Sequence, residues 1–150
     1  MEMKFRKATA ADMEGIMQLV CDIFDFEQGI PREMNAIGPE RAPQWWCATD
    51  EETGEVIGAV ASYEAEGKTH LGRFVIRPDH RGAHLGTKLM RFAIEDLFAQ
   101  GREILYTESR PQTVRILQRL GGKITGEPFE FFEGTCTPID IRREDYIPEA

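Results

Sequence analysis

VIRPDHRGAHLGTKL, residues 75–89, runs from a β-branched strand end through a glycine-bearing turn into a helical pattern. At such a junction several backbone N–H groups lack intrahelical partners and converge on one spot. The helix dipole adds partial positive charge there, so a phosphate is a natural ligand. Gly82 and Gly86 permit close approach to the main chain. Thr87 adds a hydroxyl, and Arg81 and Lys88 add full charges. Over residues 71–91, five basic side chains stand against a single acid, Asp79, although the chain as a whole carries a net charge of −8. A dinucleotide fingerprint needs G-x-G-x-x-G and a P-loop needs G-x-x-x-x-G-K-[ST]; R-G-A-H-L-G-T-K has the spacing of neither.

Outward from this junction, the pattern resolves into alternating elements. KFRKAT (4–9) alternates as a first strand, and Thr9 with Asp12 forms a capping signal for a helix. That helix buries Met13, Ile16, Met17, Val20, Ile23 and Phe24 at helical spacing, and Gly29 and Pro31 end it. Pro31 opens a second, short helix to about Ala36, and 38–44 is a connector. Strands follow at 45–49, 56–65 and 69–77, joined by DEETGE and EGK turns. Between Gly86 and Gln100, Leu89, Met90, Ala93, Ile94, Leu97 and Phe98 make a broad helical stripe stopped by Gly101. A strand at 102–109, a helix opened by Pro111 and closed by Gly121-Gly122, and two strands, KITGEPFEF and TCTPIDIRR, complete the chain. No repeat or linker interrupts this order, so residues 1–150 are expected to form one domain. Three antiparallel strands feeding a β-α-β-α-β passage imply an α/β (α+β) fold: a mixed sheet with helices on both faces.

Composition narrows the function. At 41% apolar and 29% charged residues, this is the profile of a globular protein. The excess of 26 acidic over 18 basic residues argues against nucleic acid as the main partner. Cys21, Cys47 and Cys136 are isolated from one another, so neither a disulfide framework nor a metal site is expected. No run of about 18 apolar residues exists and MEMKFRKAT has no apolar signal core, so no membrane role and a cytoplasmic location are expected.

V-I-R-P-x-x-R-G-x-x-L-G-x-x-L-M resembles motif A of the GNAT superfamily of acyl-CoA-dependent N-acetyltransferases, whose signature is Q/R-x-x-G-x-G/A. TVRILQRLGG (113–122) is similar to the family's later helix, and the element order agrees over essentially the whole chain. The resemblance implies a three-layer domain with about seven strands, splayed between the fourth and fifth. It implies acetyl-CoA as co-substrate, with no metal. Main-chain groups of Phe74, Val75 and Ile76 would pair with the pantetheine arm. N–H groups of Arg81, Gly82, Ala83, His84, Leu85, Gly86 and Thr87 would hold the pyrophosphate. Arg110, at a position where the family often has asparagine, is a further cofactor-binding candidate. Two departures stand out. His84 replaces the first glycine of the signature, tolerable because His is enriched at φ > 0 and still offers its N–H. Leu117 and Gly122 replace a tyrosine and a phenylalanine, and that tyrosine often protonates the departing thiolate.

Acetyl transfer to an amine needs a base, a place for the oxyanion and release of the thiolate. Glu108, at the end of the strand 102–109, is the first candidate base; the other reading is a solvent-facing carboxylate. Ser109 either donates to the thiolate or caps the helix at Pro111. A backbone N–H near Val75 is the candidate for the oxyanion. Tyr63, Glu64, His70 and Tyr106 are weaker candidates. Asp22, Asp25, Glu27, Glu33, Glu40, Glu127, Glu130 and Glu133 would give the acceptor pocket acidic walls. Phe24, Phe26, Trp45, Phe129, Phe131 and Phe132 would supply its aromatic surface, suiting a small cationic amine or a protein amino group. The alternative is a non-catalytic acyl-CoA-binding or sensing module of the same fold. Family analogy also suggests a homodimer.

Overall fold

A computed structural model describes residues 3–82 and 84–148, the Glu33 side chain excepted. Strand β1 (Met3–Lys7) leads through a single 3₁₀ turn into helix α1 (Met13–Gln28). The Arg6 guanidinium grips the Asp12 carboxylate with two bonds of 2.6 Å, and the Thr9 N–H donates to the same carboxylate at 2.7 Å. Gly29, at φ 67°, ends α1 in the left-handed conformation expected of a C-terminal glycine. The short helix expected after Pro31 is only a 3₁₀ turn at Arg32–Met34. Three residues are too few to form an α-helical ladder.

Strands β2 (Gln44–Asp50), β3 (Val56–Ala65) and β4 (Lys68–Ile76) form an antiparallel meander beside β1. Helix α2 (Leu85–Ala99) crosses to β5 (Ile104–Ser109), helix α3 (Pro111–Arg119) follows, and β8 (Thr135–Arg142) pairs antiparallel with β5. The single strand expected over KITGEPFEF is divided into β6 (Lys123–Ile124) and β7 (Phe129–Glu130), both pairing with β8. Pro128 has no N–H for a ladder, which accounts for the break. The sheet order is β1-β2-β3-β4-β5-β8-β6, with β7 attached to β8. This is the expected mixed sheet, with a seven-strand path and one short extra strand.

The two faces carry separate cores. Trp46, Val60, Leu89, Ile94, Leu97, Leu117, Ile139 and Ile141 pack between the sheet and helices α2 and α3. Ile16, Val20, Trp45, Cys47, Ala59, Ala61 and Val75 pack under α1. Trp45 and Trp46 enter opposite cores because successive strand residues face opposite ways. The Trp46 indole N–H donates to Asp96 at 2.8 Å, satisfying its polar atom.

Among the described residues β4 and β5 are the one parallel pair, joined only at Thr69↔Leu105 and His70↔Tyr106. Beyond those residues the strands diverge, as expected, and the site forms in the opening.

Candidate active site

The opening is widened by a bulge. Ala59 pairs with Val75 and Ala61 with Gly72, so Arg73 and Phe74 together face one residue of β3, Val60. Arg73 takes φ 53° to accommodate this, an uncommon backbone state for a residue with a side chain. A cavity of about 650 Å³ fills the splay, running from the start of α2 to Tyr63 and His70.

At one end lies the glycine loop. Pro78–His80 makes a 3₁₀ turn, Gly82 takes φ 93°, and His84 takes φ 59°, ψ 14° as the residue preceding α2. The histidine at the glycine position of the signature is therefore held in the left-handed region, where its N–H remains available. Among the described residues no side chain caps α2, so its first-turn N–H groups at Leu85, Gly86 and Thr87 have no capping partner there. Gly86 serves a different need from Gly82: a Cβ there would lie 2.9 Å from Phe74 Cζ, so the first turn rests directly on that ring. Ala83 lies outside the described residues. Arg81 departs from expectation. Its Nε donates to the Ile76 carbonyl at 3.0 Å, and its fork pairs with Glu27 of α1 at 3.0 and 3.2 Å. Its charge is largely committed to strapping the loop to α1.

At the other end, Tyr63, His70, Tyr106 and Glu108 form a row on the α1 side of the sheet. Tyr63 stacks on His70 at 5.1 Å, and Tyr106 meets the His70 edge at 5.0 Å. The Tyr106 hydroxyl donates to Glu108 Oε2 at 2.8 Å, and burial together with that carboxylate pushes the phenol up to about 12. His70 Nε2 lies 3.2 Å from the Ala65 carbonyl oxygen. A carbonyl only accepts, so Nε2 carries the proton and, in the neutral ring, Nδ1 keeps its lone pair. His70, Glu108 and Ser109 all line the cavity. Ser109 is buried and shares a 2.9 Å hydrogen bond with Thr107. Arg110, rather than Ser109, is the N-cap residue of α3, and no side chain caps that helix. Leu117 is fully buried in the core and does not reach the cavity, so α3 supplies no phenol in place of the missing tyrosine.

Of the expected acidic walls, only Glu27 lines the cavity among the described residues. Asp22 and Asp25 are bound to Arg32 at 3.0 and 3.4 Å, and Glu27 to Arg81. Glu33's side chain lies outside the described residues. Among the described residues the cavity is lined by four arginines (73, 81, 110 and 119) and only two acids, Glu27 and Glu108. Of the expected aromatic surface, Phe24, Phe129 and Phe131 line the cavity, Phe26 is exposed, and Trp45 belongs to the core. Arg110, expected at the cofactor, is instead held by Gln28 Oε1 at 2.8 Å and the Phe131 carbonyl at 2.9 Å, over the Phe131 ring. Arg73 was invisible as a site residue, because nothing in THLGRFVIR announces the bulge that turns it into the cavity. Among the described residues no cluster of His, Cys, Asp and Glu is placed to hold a metal ion, and no helix is long and apolar enough to cross a membrane.

A parallel pair splayed beside the N-terminus of α2 is the frame of this cavity. The sequence profile of the acetyltransferase (GNAT) family matches residues 13–121, and the chain belongs to that family. No curated protein sequence matches it. Among solved structures, it resembles ElaA of Escherichia coli, with a TM-score of 0.80 at 15% identity over 93% of this chain and 99% of that one. It also resembles the Vibrio cholerae spermidine N-acetyltransferase in complex with CoA and spermine (TM-score 0.72, 17% identity, 96% and 97% covered). A third is the phosphinothricin acetyltransferase of Sinorhizobium meliloti in complex with AcCoA (TM-score 0.75, 17% identity, 95% and 89% covered).

Proposed function

We propose that the chain is an N-acetyltransferase that moves an acetyl group from acetyl-CoA to a primary amine by direct attack within a ternary complex. The observation that carries this reading is one continuous cavity joining the uncapped α2 N-terminus to the Glu108 carboxylate. The residues suit the co-substrate. Main-chain N–H groups from Arg81 to Thr87 would hold its pyrophosphate, and the Phe74–Ile76 segment at and beyond the bulge would pair with its pantetheine arm. Bound there, the co-substrate supplies an acetyl group activated as a thioester.

The chain's own residues then do the following. Glu108, oriented by the Tyr106 hydroxyl, takes the proton from the acceptor ammonium, directly or through water. A backbone N–H near Val75 donates to the carbonyl oxygen as charge develops on it. The Ser109 hydroxyl, backed by Thr107, is the donor nearest in role to the absent tyrosine. Positioning two reactants in one cavity contributes several kcal/mol by itself. The fully buried Leu117 favours a second reading, an acyl-CoA-binding module without turnover.

Titration calorimetry with acetyl-CoA and a thiol-release assay across amines test both. Glu108→Gln is expected to lower kcat by about 10²- to 10⁴-fold while CoA affinity stays unchanged. An unchanged rate would pass the base role to His70 Nδ1, and binding without turnover on any amine would leave the module reading. No binding at millimolar concentration would remove both.

A further inference from the structure

The charges around the acceptor half of the cavity are inverted relative to the chain. The protein carries −8, yet Asp22, Asp25 and Glu27 of α1 are engaged by arginines and the cavity wall is rich in guanidinium groups. Arg81 is committed to Glu27, and the Arg119 Nε donates to the Arg115 carbonyl of its own helix at 3.4 Å. Among the described residues Arg73, Arg110 and Arg119 have no carboxylate partner, and of these Arg73 and Arg110 are held by groups from other elements.

Arg73 donates to the carbonyls of Asn35 and Met34 at 3.2 Å each and to the Tyr63 hydroxyl at 3.4 Å. Arg110 donates to Gln28 and Phe131, and its Nη2 is buried without any acceptor. A buried guanidinium nitrogen without an acceptor is unfavourable enough that native proteins seldom keep one. Arg73 sits against the segment that follows α1, and Arg110 against the end of α1 and the β7–β8 hairpin. The pantetheine arm is uncharged, so the co-substrate leaves them unmatched.

Position ties Arg110 to the chemistry. It keeps an extended backbone (φ −68°, ψ 159°), two residues beyond Glu108, so both side chains leave the same side of the chain. The Cys136 thiol, pushed up mainly by burial, is lowered by Arg110 and raised by Glu108, and so lies within reach of both charges. The hairpin backbone closes on the guanidinium: a Cβ on Gly134 would stand 2.6 Å from Arg110 Nη1.

We propose that the acceptor is an amine that also carries a carboxylate close to its nitrogen, an amino acid or a peptide end of that chemistry. Arg110, assisted by Arg73, binds the carboxylate while Glu108 faces the amine. This rests on the N-acetyltransferase reading above and narrows it from amines in general to zwitterionic ones. It also replaces the expectation of a purely cationic acceptor, which two unmatched guanidinium groups would repel.

The test uses matched acceptors on the intact chain. Free L-amino acids are compared with their primary amides, and peptide amides beginning with glutamate with those beginning with glutamine. Rates of thiol release are corrected to the free-base fraction of each amine. A hydrogen-bonded charge lost without replacement predicts kcat/KM about 10- to 100-fold higher for the carboxylate member of a pair. Whether the free acids or the glutamate peptides show the preference tells which source the site takes. In Arg110→Gln the preference should fall toward one. Pairs within threefold of each other in the unaltered protein would overturn the inference, with no variant needed. So would CoA binding with no acetylation of any carboxylate-bearing amine, or an undiminished preference in a folded Arg110→Gln. Failure to bind CoA at all is a separate outcome that removes the N-acetyltransferase reading itself.

Discussion

His84 offers a direct test of whether the phosphate loop works through its backbone. The residue sits at φ 59°, ψ 14°, immediately before α2, where the family signature has glycine. Replacing it with glycine relieves a left-handed strain of about 1 kcal/mol. Glycine also adds unfolded-chain freedom worth about 0.4–1 kcal/mol, which acts in the opposite direction. His84→Gly should therefore leave stability within about 0.5 kcal/mol, or roughly 1–2 °C in Tm. His84→Val places a β-branched side chain at positive φ, a strain of about 1–3 kcal/mol. If the backbone relaxes out of this state, the N–H groups before α2 turn away from the ligand. Losing one charge-assisted bond would weaken CoA binding about 10- to 100-fold. Thermal melting and titration calorimetry with CoA read the two effects separately. A His84→Val protein that binds CoA like the unaltered chain would refute the backbone argument. A His84→Gly protein with normal CoA affinity and lost turnover would show that the imidazole takes part in the chemistry.

Three further outcomes follow from the geometry. Asp12→Asn should cost about 1–2 kcal/mol at pH 7 in chemical denaturation, through the lost Arg6 pair and helix cap. The Arg6 hydrogen bonds, foremost, hold the Asp12 carboxyl well below its usual range. The contribution is thus complete above the unfolded value near ~3.9 and declines as pH falls toward the folded one. An Asn-to-Asp gap equally large at pH 2 would contradict this. Gly86→Ala should weaken CoA binding by pressing a methyl against Phe74, at about 1–3 kcal/mol of overpacking, and Phe74→Leu in the same chain should restore much of it. Failure of that rescue would place the role of Gly86 elsewhere. Arg81→Ala and Glu27→Gln should each destabilise modestly, with a coupling of about 0.2–1 kcal/mol for this partly exposed pair in a double-mutant cycle. Zero coupling, together with a large change in the salt dependence of CoA binding, would return Arg81 to the phosphates.

The sequence by itself determined what depends on neighbours along the chain. The turn from strand to helix at Arg81–Thr87, the stripe of α2 and the stop at Gly29 all follow from local pattern. Together with the motif they identify the family and the sheet. Where local signals were sparse, as in the 3₁₀ turn at Arg32–Met34 or the Pro128 break, the elements came out shorter than their apolar content implied. The character of the site was decided only by tertiary contacts. Asp22, Asp25 and Glu27 read as the walls of an acidic pocket until Arg32 and Arg81 are seen to hold them. Arg110 read as a cofactor ligand until Gln28, 82 positions away, and the Phe131 carbonyl fix its direction. A charge in a sequence has a sign but no partner. Pairing acts over a few ångströms in space, between residues that only the closed sheet brings together, and that pairing makes this cavity's free charge positive in an acidic protein.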